Sequence, residues 1–191
     1  YVRSAALFLE AVQAERDADG KRTLPLSSSP EINDNKPEAW FPSITNYDGA
    51  LIRWVFAKTA ELAEACGDAD DAGRWRRALA EMPELAVGDD GALLVAADYP
   101  LQESHRHLSH QLAIHPLGMI DIGHGEDEAR IVRATLADLE AKGTSRWTGY
   151  SFAWFANLSA RAYEGEKAEA ALELFSPAFC LPNSFHFNGD Q

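Results

Sequence analysis

The 191-residue chain is 46% hydrophobic, enough for one domain with a real core or for part of a larger one. Its formal charge of −13 argues against nucleic acid or an anionic membrane as partner, because no basic patch is present to displace counterions. No apolar run approaches the ~20 residues of a membrane span, so no membrane partner is expected on that ground either.

The helical period dominates from the start. Residues 3 to 17 carry Ala6, Leu7, Leu9, Ala11 and Val12 before the Asp19-Gly20 stop, which predicts a first helix. A second is predicted from about Asp48 to Cys66, with Leu51, Val55, Thr59 and Leu62 as its stripe and Gly67 closing it. A third runs from about Asp70 to Ala80 and ends before Pro83. Its basic run, Arg74-Trp75-Arg76-Arg77, reads as a solvated face. Only Ala92 to Ala96, after the turn signal Asp89-Asp90-Gly91, looks like a strand. Three more helices are predicted: about Glu126 to Lys142, Tyr150 to Tyr163, and Glu166 to Leu174. The class is all-α. Residues 126 to 142 show one apolar stripe and suit an outer helix, whereas residues 151 to 163 are apolar nearly all round and suit an inner one. Inner helices alternating with outer ones are what an α/α toroid requires, although a simple orthogonal bundle gives a similar pattern.

The chain opens at Tyr1-Val2-Arg3 and stops at Asn188-Gly189-Asp190-Gln191, so both ends read as cuts. Residues 1–191 are accordingly expected to be part of one domain of a longer protein, with the rest of the parent chain as a partner. Cys66 and Cys180 are far apart and fall in no metal or redox spacing, which leaves their pairing and the compartment open.

Four irregular segments stand out. Ser27-Ser28-Ser29-Pro30-Glu31 precedes the second helix, and Gly143-Thr144-Ser145-Arg146-Trp147-Thr148-Gly149 leads into the inner helix. Phe185-His186-Phe187-Asn188-Gly189-Asp190 closes the chain. The fourth, His105-Arg106-His107-Leu108-Ser109-His110 running to His115-Pro116, reads as the start of a buried helix. Groups of this kind are costly to bury without partners, which could be other side chains, a metal or a hydroxyl-rich ligand. In a toroid, loops feeding inner helices open on one rim, so the four segments are expected to converge on one aromatic pocket suited to sugars. His105 and His107 flank Arg106 and could donate to hydroxyls, while His110 and His115 read as core histidines. Trp147 is a candidate stacking platform, Trp154 a core residue on the same side, and Arg161 an ion-pair partner. His107 and His110 are three apart with His105 and Glu103 near, but no His-Glu-x-x-His pattern occurs, so no metal and no cofactor are expected.

Taken in series, these landmarks resemble the catalytic (α/α)6 domain of glycoside hydrolase family 95, specifically its C-terminal half. The family comprises inverting 1,2-α-L-fucosidases and relatives acting on α-L-galactosides. The matching residues are Ser29-Pro30-Glu31, Tyr47-Asp48, His105 to His110, Gly149-Tyr150-Ser151-Phe152-Ala153-Trp154 with Ala160-Arg161, and Phe185-His186-Phe187-Asn188-Gly189.

The resemblance implies an exo-acting, inverting glycosidase whose partner is an oligosaccharide or glycan. It favours a secreted or periplasmic location, with a cytoplasmic one left open. It makes Glu31 the general acid, and an aromatic-lined pocket could hold that carboxyl protonated near neutral pH; the alternative is a loop glutamate paired to an arginine such as Arg106. His105, Arg106, His107, Trp147 and His186 become the sugar-binding set. On the water side the chain departs from the pattern. In the family a closing aspartate polarises asparagines that hold the water, and those asparagines lie upstream of the region represented here. Asn188 stands at the aspartate position, and an amide cannot take the proton, which leaves Asp190 as the other candidate. The Glu-Trp pair usual before the histidine segment is replaced by Val95-Ala96-Ala97-Asp98. The alternatives are a non-hydrolytic carbohydrate-binding α/α module and a purely structural helical fragment. The isolated fragment is expected to be inactive.

Overall fold

In the computed structural model, residues 1–34 and 36–189 are described. Among them the chain forms α1 (Val2–Val12), α2 (Asn46–Ala65), α3 (Ala69–Ala80), α4 (Glu126–Lys142), α5 (Gly149–Arg161) and α6 (Gly165–Phe179). No strand occurs among the described residues. Val87 to Leu93 and Ala96 to Tyr99 make isolated antiparallel bridges only, so the expected strand at 92–96 is a pair of tight turns. The fold is all-α.

Local chemistry explains the starts and stops. Thr45 caps α2 by accepting the Asp48 N–H at 3.2 Å, and Asp68 caps α3 through the Asp71 N–H at 3.0 Å. In α4, Glu126, Asp127 and Glu128 face the positive helix end and Lys142 the negative end. Gly143, at φ 72°, then ends the helix in a conformation that other residues avoid. At the head of α5, the Ser151 hydroxyl accepts the Thr148 N–H at 3.2 Å.

The helices pack as neighbours in sequence: α1 on α2, α2 on α3, and α5 on α6. One core lies among α1, α2 and α3, where Phe56 stacks on the fully buried Trp75 with ring centres 5.7 Å apart. The second lies beneath α4 and α5, joining Val132, Leu136 and Leu139 to Phe155 and Leu158, with the loop residues Leu93, Leu101, Leu108 and Ile114. α4 buries the single stripe expected of it. α5 buries more of its circumference but leaves Asn157 and Ala160 in water. The stripe of α2 is rotated by one residue from the expected one. Ile52, Phe56, Thr59 and Ala60 are buried while Leu62 is 51% exposed, because Trp75 of α3 draws Phe56 inward.

The histidine segment does not open a helix. Only a 3-10 turn forms, Ser109–Gln111, followed by turns to Leu117. Pro116 cannot donate to an i−4 carbonyl, which bars an α-helix from running through this point. Leu112 and Ala113 nevertheless pack against Ala50 of α2, so the segment is core without being helical.

Candidate active site

Pro30 is followed by Glu31 at φ 60°, with Asn33 and Asp34 also in the left-handed region. That conformation is uncommon for glutamate and needs surrounding structure to hold it. The support is on the page. Ser27 accepts the Thr45 N–H at 2.9 Å and donates to Asp48 at 2.7 Å, tying the turn to the head of α2. Burial pushes the Asp48 carboxyl upward against the Ser27 bond. Ser29 and Ser109 share a buried hydroxyl–hydroxyl bond of 2.8 Å, tying it to the histidine segment.

Glu31 then meets that segment directly. Arg106 grips both carboxylate oxygens, Nε to Oε2 and Nη2 to Oε1, each at 2.7 Å. His107 Nε2 stands 3.1 Å from the same Oε2. The bidentate Arg106 contact, reinforced by His107, lowers the carboxyl to about 2. The expectation of a pocket that keeps Glu31 protonated is therefore not met. The pocket is ionic here because the loop that carries Glu31 ends against a guanidinium rather than against aromatic rings.

A cavity of about 470 Å³ opens beside this cluster, walled by Glu31, His105, Arg106, Arg146, Tyr99 and Gln102 among others. Its walls mix carboxylate, guanidinium, imidazole, phenol and amide, the donor and acceptor set that a polyhydroxylated ligand requires. His105 Nδ1 accepts the His107 N–H at 3.0 Å, which orients its ring. Arg146 bridges to Glu103 at 2.7 Å. Tyr99 donates to Asn33 at 3.2 Å, bracing the Glu31 turn from across the cavity. Arg146 lies in the 143–149 segment but was not itself singled out as a site residue, and Tyr99 lies in none of the four segments.

The third segment joins through α5. Ser151 Oγ donates to the Arg106 carbonyl at 2.7 Å, the Arg146 N–H reaches Ser104 at 3.1 Å, and the Tyr150 hydroxyl bonds His107 Nδ1. Burial and the Glu31 charge push Tyr150 up to about 12, so it keeps its proton. Trp147 does not join. It packs edge-on against Phe152 and tilted against Phe155, lining a separate apolar cavity of about 290 Å³ towards α6. Its indole is thus packed among the rings of α5 and is not part of the wall around Glu31. Trp154 turns elsewhere again, onto His115 and Tyr150.

The fourth segment reaches only the head of α5. The Gly149 N–H donates to the Asn188 carbonyl at 3.1 Å, and Gly149 has no room for a Cβ beside His186 and Phe179. His186 stacks on Phe175 of α6 and does not wall the cavity around Glu31. Asp190 lies outside the described residues. His110 is fully buried and burial lowers it to about 3, a neutral core histidine as expected. His115 is only half-buried, against Trp154. Arg161 pairs with Asp121 at 3.5 Å, outside the helix layer. Among the described residues no three His, Cys, Asp or Glu side chains converge as they would around a metal ion. Cys66 and Cys180 are both free thiols.

Fold and site together define an all-helical domain with a carboxylate-bearing polar cavity on its loops. The glycosyl hydrolase family 95 catalytic domain matches residues 1–187, and the chain belongs to that family. It is thus a glycoside hydrolase domain, and a glycan is its substrate class. A comparison with curated proteins gave no match.

Proposed function

We propose that this domain hydrolyses α-L-fucosides or closely related galacto-configured sugars at chain ends, with inversion, and that Glu31 is the general acid. The observation that carries the reading is the position of Glu31, in a strained turn on the wall of a polar cavity, gripped by Arg106 and His107. Family membership supports the reaction class, and the sugar and stereochemistry rest on the resemblance of the motifs.

A carboxyl lowered to about 2 cannot serve as an acid near neutral pH while Arg106 holds it. A sugar entering the cavity reverses both influences. Its hydroxyls take over guanidinium donors, and its bulk expels water, and each change raises the carboxyl towards the protonated form. Glu31 then gives its proton to the departing glycosidic oxygen. An inverting site also needs a base to activate water on the opposite face of the sugar. Asn188 cannot accept a proton, so Asp190 is the candidate for that side, carried by a closing segment that packs on the head of α5 and not on the wall around Glu31. On this reading the active domain extends beyond residues 1–191, whose loops form one part of the site.

The test is hydrolysis of an α-1,2-fucosylated oligosaccharide with NMR of the released sugar. Release of the inverted β anomer, lost in Glu31→Gln, is expected; undiminished hydrolysis by Glu31→Gln would remove the acid assignment. A second reading, a non-hydrolytic glycan-binding module, is favoured by the amide at position 188 and by the tight Glu31–Arg106 pair. Sugar binding with no hydrolysis by the folded wild-type protein would establish it.

A further inference from the structure

The head of α5 holds the segment carrying Arg106 and His107 through two consecutive side chains. Ser151 fixes the Arg106 carbonyl, and Tyr150 meets the ring of His107, with ring centres 5.5 Å apart and the phenol oxygen on Nδ1. His107 is thereby gripped on both ring nitrogens, by Tyr150 on one side and by the Glu31 carboxylate on the other.

The chemistry of these partners decides where the imidazole proton sits. An ionised carboxylate only accepts hydrogen bonds, so the nitrogen facing Glu31 must carry hydrogen. In the neutral ring that leaves Nδ1 as an acceptor, and a donor must stand there for the arrangement to persist. Tyr150 supplies one, because its raised pKa keeps the hydroxyl protonated. The His107 N–H on the backbone side is separately tied to His105 Nδ1, which limits how far the segment can swing.

We propose that Tyr150 is a positioning residue that locks His107 in its Nε2–H tautomer and so keeps a hydrogen-bond donor aimed at Glu31 Oε2. The role rests on Glu31 being the general acid, but the tautomer lock can be read without any turnover. When Glu31 has delivered its proton and become a carboxylate, this donor stabilises the charge left behind. Without Tyr150 only the part-exposed Glu31 carboxylate still favours Nε2–H, so the Nδ1–H form becomes populated beside it, and gains further once Glu31 carries a proton.

The test is Tyr150→Phe, which keeps the ring packing against His107 and Trp154 and removes only the hydroxyl. The protein labelled with 15N-histidine reports the tautomer directly, with the His107 signals assigned by their loss in His107→Asn. The wild type should show the Nε2–H pattern for neutral His107, and Tyr150→Phe a mixture with Nδ1–H. On a glycan that the wild type cleaves, kcat should fall about 10- to 100-fold with KM nearly unchanged, by analogy with the loss when the partner orienting a metal-bound imidazole is removed. An Nδ1–H pattern in the wild type, or an unchanged tautomer in Tyr150→Phe, overturns the lock whatever the substrate proves to be. A shifted tautomer with unchanged kcat overturns the positioning role while leaving the glycosidase reading intact. Conversely, a shifted tautomer with full activity in Glu31→Gln removes the acid, and with it the purpose proposed for the lock.

Discussion

His107 and His110 come from one histidine-rich stretch, yet that stretch divides at Leu108 into a cavity wall and a piece of core. Before the division, His105, Arg106 and His107 are half-exposed and spend their hydrogen bonds on Glu31, Tyr150 and one another. After it, Ser109, His110 and Gln111 are buried, and the His110 ring is held neutral against the Gln111 amide at 3.1 Å. The same residue type serves ligand chemistry on one side and packing on the other. What separates them is which neighbour arrives: the Glu31 turn and α5 on the first, α2 on the second.

Substitutions on the two sides should therefore be felt in different quantities. The largest effect is expected on the cavity side, where Glu31→Gln should lower hydrolysis by about 10²- to 10⁴-fold with little change in melting temperature. His110→Ala should do the opposite, costing about 2–4 kcal/mol of stability in chemical denaturation while sparing Glu31. A pH series sharpens this second contrast. His110 is lowered to about 3 in the folded protein against 6.5 when exposed. The unfolded chain therefore gains the proton first, and stability that is intact above pH 6.5 erodes as pH falls from 6.5 towards 3. His110→Ala should flatten that part of a melting-temperature profile.

Arg106→Ala gives an intermediate effect on the cavity side. It should raise Glu31 from about 2 towards 4.5, moving its titration, followed by 13C NMR of the carboxyl, upward in pH. The Glu31 contribution to stability is present above pH 4.5 and lost as pH falls from 4.5 to 2. With 42% of that side chain exposed, solvent screening keeps it small. The smallest effect is expected at the seam. Ser109→Ala leaves the buried Ser29 hydroxyl without its 2.8 Å partner and should cost about 1 kcal/mol in denaturant unfolding. An equal loss of stability from His107→Ala and His110→Ala would break the comparison itself.

The sequence by itself determined the all-α class, the bounds of α4 and, to within two residues, those of α2, α3 and α5, because caps, glycine stops and 3.6-residue periodicity are local signals. By contrast, α1 ends five residues before its expected end and α6 runs five residues past its own. It also determined that Glu31 and the histidine segment belong together, since their motifs carry the family's pattern. Tertiary structure alone decided the rest. Trp147 precedes a helix as a rim platform would, yet its indole goes where the Phe152 and Phe155 faces admit it. For Glu31 the sequence left two environments open, an aromatic-lined pocket or an arginine such as Arg106, and the fold chose the guanidinium 75 residues away. Tyr99, Arg146 and Tyr150 became cavity wall or support through contacts between segments far apart in the chain. Periodicity reports which face of an element is apolar; which polar groups meet is set by where separate loops cross, and no local pattern encodes that crossing.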